Sequence, residues 1–198
     1  MVRNLSRVIF PSGSMVIETC LESLFLESQS SSDSSSAVLD LVISIEHPAQ
    51  EIIGLEGFLN FDEVTMRKKL KEARYRFYNV RSKFLVQSRW IVDELPHIIA
   101  MKDRIGARDY LVNNLKGIGY KEASHFLRNV GVFDFSILDK HILNMIRKEH
   151  PERKFLVGSR KNYLETEKTI LEFADSISLE PGILDLYLWK IATGKLLK

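Results

Sequence analysis

The sequence predicts an all-α protein of about eight to ten short helices. Apolar residues recur at helical spacing through most of the chain, and alternating β-branched runs are few. Capping and breaking residues (Asp62, Asn79, Gly131, Asp139 and Pro151) fall between the apolar patterns. With 198 residues, 45% of them apolar and 27% charged, the chain has the length and composition of one domain or of two small lobes sharing a core.

Residues 1–15 are weakly patterned and end in PSGSM, which is expected to be a weakly ordered lead without function. VIETCLESLFLES then predicts a helix over 16–27. SQSSSDSSS reads as a linker by composition, but AVLDLVISI follows at once. A short helix–helix connection, capped by Asp33 or a neighbouring serine, fits both. Asp62 or Thr65 starts a basic helix expected to run to about Tyr78. Asn79 stops it, Arg81 to about Asp93 form the next, and Pro96 opens a further short one. Ala107–Lys116 and Lys121–Val130 are helical, with GIG between them and Gly131 after them. Residues 132–138 form a loop with apolar anchors. LDKHILNMIRKEH is helical from near Asp139 and is followed by Pro151, and 160–177 and 181–193 are the last two helices.

The charge is uneven. No Lys or Arg occurs between Val8 and Met66, whereas residues 66–89 hold nine against one Glu. Such a run is either a solvated helix face or a surface that meets phosphates, and the interleaved Tyr75, Phe77 and Tyr78 fit core packing or base stacking. The single cysteine, Cys20, excludes an internal disulfide, and with it a cysteine-ligated cluster or zinc site within the chain; the five histidines show no metal-ligand spacing. No apolar run is long enough to span a bilayer and no signal-peptide pattern is present, so a cytoplasmic protein is expected.

Gly117, Ile118 and Gly119 join two helices by a tight turn, a helix–hairpin–helix. It is either a plain glycine break between core helices or a loop that offers backbone N–H groups to a phosphate. Lys121 follows on the first turn of the next helix. The positive end of a helix dipole disfavours a protonated amine, and a free amine is a nucleophile toward an electrophilic sugar carbon. Eighteen residues later Asp139 stands at a helix start. It is either a simple cap or a carboxylate that also assists bond cleavage electrostatically.

LKGIGYKEASHFLRNVG followed by SILDKHIL closely resembles the helix–hairpin–helix DNA glycosylases with their catalytic aspartate. More narrowly, the chain resembles the type-2 8-oxoguanine DNA glycosylases with lyase activity. The narrower likeness rests on ARYRFYNVRSKFL, LDLYLWKIATGKLLK and LFLESQSSSD; it covers residues 65–198 well and 16–64 loosely. Lys116 stands where members of the superfamily often carry proline before the turn, and the loop before Asp139 has Gly131 but no proline.

The resemblance implies a two-lobed helical bundle over 16–198 with the active site in a cleft between the lobes. It implies a repair enzyme that flips 8-oxoguanine out of duplex DNA, excises it and cuts the strand by β-elimination. Lys121 would attack C1′, and Asp139 would stabilise charge on the sugar. Phe77 and Trp189 would sandwich the base, and Lys198 at the chain end would help read it. Gly117, Ile118, Gly119 and His141 would hold the DNA backbone with Arg81 and Lys83 of the basic run, and Gln29 would plug the gap. No cofactor is implied. Double-stranded DNA containing oxidised guanine is the partner, and a monomer associated with the nucleoid is expected. Two alternatives stand beside this: a glycosylase of the same superfamily for another oxidised base, and a non-catalytic DNA-binding module.

Overall fold

The structure, a computed structural model, describes residues 50–194. The helices expected at 16–27 and from 37, the serine-rich connection, Gln29 and Lys198 lie outside the described residues, as does the lead over 1–15.

Nine helices and no strand are found among the described residues. They are α1 (Gln50–Asn60), α2 (Glu63–Glu72), α3 (Tyr78–Gln87), α4 (Ile91–Ala100), α5 (Arg104–Asn114), α6 (Tyr120–Asn129), α7 (Lys140–Glu149), α8 (Arg160–Ser176) and α9 (Pro181–Thr193). α1 is not announced by the sequence pattern, and it is broken at Gly54, whose φ of 61° departs from helical backbone.

The basic helix ends sooner than expected, at Glu72 rather than near Tyr78. Arg74 adopts φ 56°, the Arg74 N–H donates to the Lys71 carbonyl and the Tyr75 N–H to that of Leu70. This is a Schellman termination, which glycine usually makes. An arginine there accepts left-handed strain of about 1 kcal/mol, and the sequence therefore shows no stop signal. The gain lies in packing: Leu70 is buried, and Tyr75 folds back onto the same core. A second such turn closes α8 with Ser178 at φ 54°. The third, after α6, uses Gly131 and was legible as a stop.

α3 correspondingly begins at Tyr78, not Arg81, and stops at Gln87. Pro96 does not open a helix but sits inside α4. Its exposed ring faces solvent, while Ile91, Leu95 and Ile98 anchor the other face in the core and hold the helix across the missing N–H. Arg89, the last residue of the basic run, is part-buried and turned toward the protein. Its guanidinium donates to the Phe58 and Phe61 carbonyls at the end of α1, which suits a cation at a helix C-terminus.

Two apolar cores result. One gathers α1–α6 around residues such as Phe58, Met66, Leu85, Leu111 and Phe126. The other gathers α7–α9 around Leu138, Ile142, Tyr163, Ile170 and Leu184. The seam between them is polar. Arg108 of α5 pairs with Glu167 of α8 at 2.7 Å, and Arg128 of α6 pairs with Asp185 of α9 at 2.8 Å, all four side chains being buried. No described helix is long and apolar enough to cross a membrane.

Candidate active site

The hairpin is braced rather than loose. Gly117 has φ 85°, and a Cβ there would lie 2.6 Å from Arg81 Nη1 and 2.7 Å from the Phe84 ring, so only glycine fits. Arg81 Nη1 donates to the Gly117 carbonyl at 2.8 Å, which makes it a strut of the hairpin. Ile118 is buried, and its N–H donates to the Leu115 carbonyl. The Gly119 N–H donates to Glu122 Oε2 at 3.1 Å, so Glu122 closes the start of α6. Two of the hairpin amides are thus held from inside the protein.

Lys121 is exposed on the first turn of α6. Tyr120 beside it anchors that turn: its hydroxyl donates to Asp109 Oδ1 at 2.8 Å, and Arg160 holds the other oxygen of the same carboxylate at 2.7 Å.

Asp139 is the N-cap of α7. Its Oδ1 accepts from the His141 N–H at 2.8 Å and the Ile142 N–H at 2.9 Å. A helix started by a doubly bonded carboxylate explains why the chain turns helical at this point. Both cap hydrogen bonds fall on one oxygen, so the cap does not use Oδ2. The His141 side chain is half-buried on the first turn of α7.

The loop before Asp139 is buried and irregular, and its backbone must therefore find partners in side chains. Asp185 Oδ1 accepts from the Ile137 N–H at 2.8 Å and from the Ser136 hydroxyl at 3.0 Å. Glu167 Oε1 accepts from the Ser136 N–H at 3.2 Å. The Tyr163 hydroxyl accepts from the Leu138 N–H and donates to the Ser136 carbonyl. The Tyr163 ring in turn lies 5.4 Å from that of Tyr120. One tyrosine therefore touches the residue before Lys121 and the residue before Asp139.

Arg108 completes the arrangement. Its guanidinium carbon lies 3.9 Å from the Phe135 ring centre, with the Tyr120 and Tyr163 rings at 5.5 and 5.8 Å, and it donates to Ser124 of α6 and to Glu167. Burial raises the Tyr163 hydroxyl well above the usual tyrosine range, and the nearby Glu167 carboxylate adds to it. The hydroxyl therefore stays protonated as a donor.

Of the other expected residues, Phe77 is 51% exposed just before α3, with the Arg76 guanidinium 4.8 Å from its ring centre. That exposure excludes a core role. Trp189 is half-buried on α9, and Lys83 is exposed on α3. Among the described residues, no group of three His, Cys, Asp or Glu is placed to hold a metal ion. Sequence reasoning missed Arg108, Arg128, Tyr163, Glu167 and Asp185. The available signal was a charge inside an apolar helix face, as in ILDLYL and YLETEKTI.

Residues 42–179 match the family model described as 8-oxoguanine DNA glycosylase. A Thermoplasma acidophilum protein named 8-oxoguanine DNA glycosylase/AP lyase is 54% identical over 149 residues, which is 75% of this chain and 72% of that protein. The crystal structure of Methanocaldococcus jannaschii 8-oxoguanine DNA glycosylase superposes with a TM-score of 0.83 at 31% identity, covering 100% of this chain and 94% of that one. A structure of the Methanocaldococcus jannaschii enzyme in complex with a 15mer DNA containing 8-oxoguanine gives 0.80 at 30% identity, covering 100% and 97%.

Proposed function

The chain belongs to the 8-oxoguanine DNA glycosylase family, and we infer from this that it excises 8-oxoguanine from duplex DNA and then cleaves the strand at the abasic site. The observation that carries the residue-level reading is the shared contact of Tyr163 with the starts of α6 and α7, next to Lys121 and Asp139.

In this reading the flipped nucleotide meets the protein beside Lys121 and Asp139, with the buried polar seam behind them. The Lys121 amine attacks C1′, the new N–C1′ bond forms, and the C1′–N9 bond breaks with its electron pair leaving on the base. The base takes up a proton as it departs. Asp139 stabilises the positive charge that develops on the sugar. The ring then opens to an imine on Lys121, which acidifies the C2′ hydrogen. Loss of that proton expels the 3′ phosphate by β-elimination. Phe77 and Trp189 flank the base, each offering a π-face. The hairpin and the first turn of α7 with His141 hold the backbone of the damaged strand. Lys83 and other exposed cations of the basic run add sequence-independent affinity.

Borohydride reduction of the enzyme on duplex DNA carrying 8-oxoguanine tests the reading. A covalent adduct is expected with the natural chain and none with Lys121→Gln, while duplex binding persists in both. An adduct formed by Lys121→Gln would place the nucleophile elsewhere.

A further inference from the structure

The buried network behind Asp139 does more than satisfy a loop. Two side-chain paths run from α6, the helix that carries Lys121, to the three residues before Asp139. In the first, Arg128 of α6 pairs with Asp185, which accepts from the Ile137 N–H and the Ser136 hydroxyl. In the second, Ser124 of α6 accepts from Arg108, which pairs with Glu167, and Glu167 accepts from the Ser136 N–H. Tyr163 makes a third link, its ring against Tyr120 and its hydroxyl on Leu138 and Ser136.

Buried carboxylates and guanidiniums are costly to desolvate, and an apolar seam of equal volume would often hold two lobes as well. What such a seam lacks is direction. Three buried acceptors fix the backbone of Ser136, Ile137 and Leu138, and Asp139 follows with its own N–H on the Ile137 carbonyl at 2.7 Å. Electrostatic catalysis requires this kind of fixing, because a charge misplaced by about 1 Å can cost up to about a hundredfold in rate.

We propose that Asp185, Glu167 and Tyr163 are positioning residues that set the carboxylate of Asp139 relative to Lys121 through the buried segment Ser136–Leu138. The inference rests on the assignment of Asp139 under Proposed function.

A double-mutant cycle tests it. Asp185→Asn and Tyr163→Phe are each made in the natural chain and in Asp139→Asn, and single-turnover excision of 8-oxoguanine is measured at neutral pH with melting curves to establish folding. In the natural chain, Asp185→Asn should slow excision at least about tenfold and Tyr163→Phe about threefold. In the Asp139→Asn background each should cost less than about twofold, because the group they position is gone. Should Asp185→Asn not fold, Tyr163→Phe decides alone, since it removes one hydroxyl and keeps the ring on Tyr120. Equal losses in both backgrounds, or no loss in the natural chain, would overturn the proposal while leaving the role of Asp139 intact. Natural rates in Asp139→Asn itself would instead overturn the site assignment, and this inference with it.

Discussion

Tyr120 and Tyr163 pack ring to ring, their centres 5.4 Å apart and their planes inclined by 33°. Each ring is tied by its hydroxyl to a different structure: Tyr120 to Asp109, and Tyr163 to the backbone of Ser136 and Leu138. The contact couples the hairpin lobe to the α7 lobe next to Lys121 and Asp139, and the consequences of that coupling can be measured.

Base recognition and lyase chemistry should separate. Phe77→Ala removes an exposed ring and should leave the melting temperature within about 2 °C. It should slow release of 8-oxoguanine, since stacking is worth about 1–3 kcal/mol per base. Trp189→Ala should do the same with some loss of stability. Both variants should still cleave a preformed abasic site, which needs Lys121 but no base pocket. Equal loss of both activities would place these rings outside base binding.

Gly117→Ala tests the hairpin. At φ 85° an added Cβ would collide with Arg81 Nη1 and the Phe84 ring. The strain should cost about 1–3 kcal/mol, and duplex affinity should fall for damaged and undamaged DNA alike. Binding selectively lost for the lesion would argue that the hairpin reads the base rather than the backbone.

The Arg108–Glu167 pair should show the asymmetry of buried charges. Arg108→Met leaves Glu167 buried without its cation and should cost about 3–5 kcal/mol of stability, whereas Arg108→Met with Glu167→Leu should recover part of it, the remainder being the Ser136 N–H left without its acceptor. Chemical denaturation of the two variants checks this. Equal destabilisation of both would mean that the pair itself, not its unpaired remnant, carries the stability.

Burial pushes the Asp185 carboxyl up to about 6 from 3.8, against the opposing pull of Arg128, the Ile137 N–H and the Ser136 hydroxyl, while Asp139 pushes upward. A carboxyl raised on folding contributes stability that is fully present below its unfolded value and lost as pH rises through the folded one. Between about pH 4 and pH 7 the natural chain should therefore lose about 2–3 kcal/mol relative to Asp185→Asn. Melting of both proteins across that range measures the difference, and parallel curves would show that the carboxyl keeps its solution affinity for protons.

The sequence by itself determined the helical class, the hairpin at Gly117–Gly119, the position of Lys121 on a first turn and Asp139 as a cap. These are local matters. Apolar periodicity, a glycine that must adopt positive φ and a carboxylate before an apolar face all act within a few residues of chain. Only the tertiary structure decided that α2 ends at Glu72, because a left-handed Arg74 is tolerable only when Tyr75 gains a core to fold onto. It decided likewise that Arg81 and Arg89 bind carbonyls, although their sequence neighbourhood reads as a phosphate-facing run. The same holds for Arg108, Arg128, Tyr163, Glu167 and Asp185. Arg108 meets Glu167 across 59 residues and Arg128 meets Asp185 across 57. A buried charge shows in sequence as a break in an apolar face, but its partner is chosen by the packing of two lobes, which no local spacing encodes.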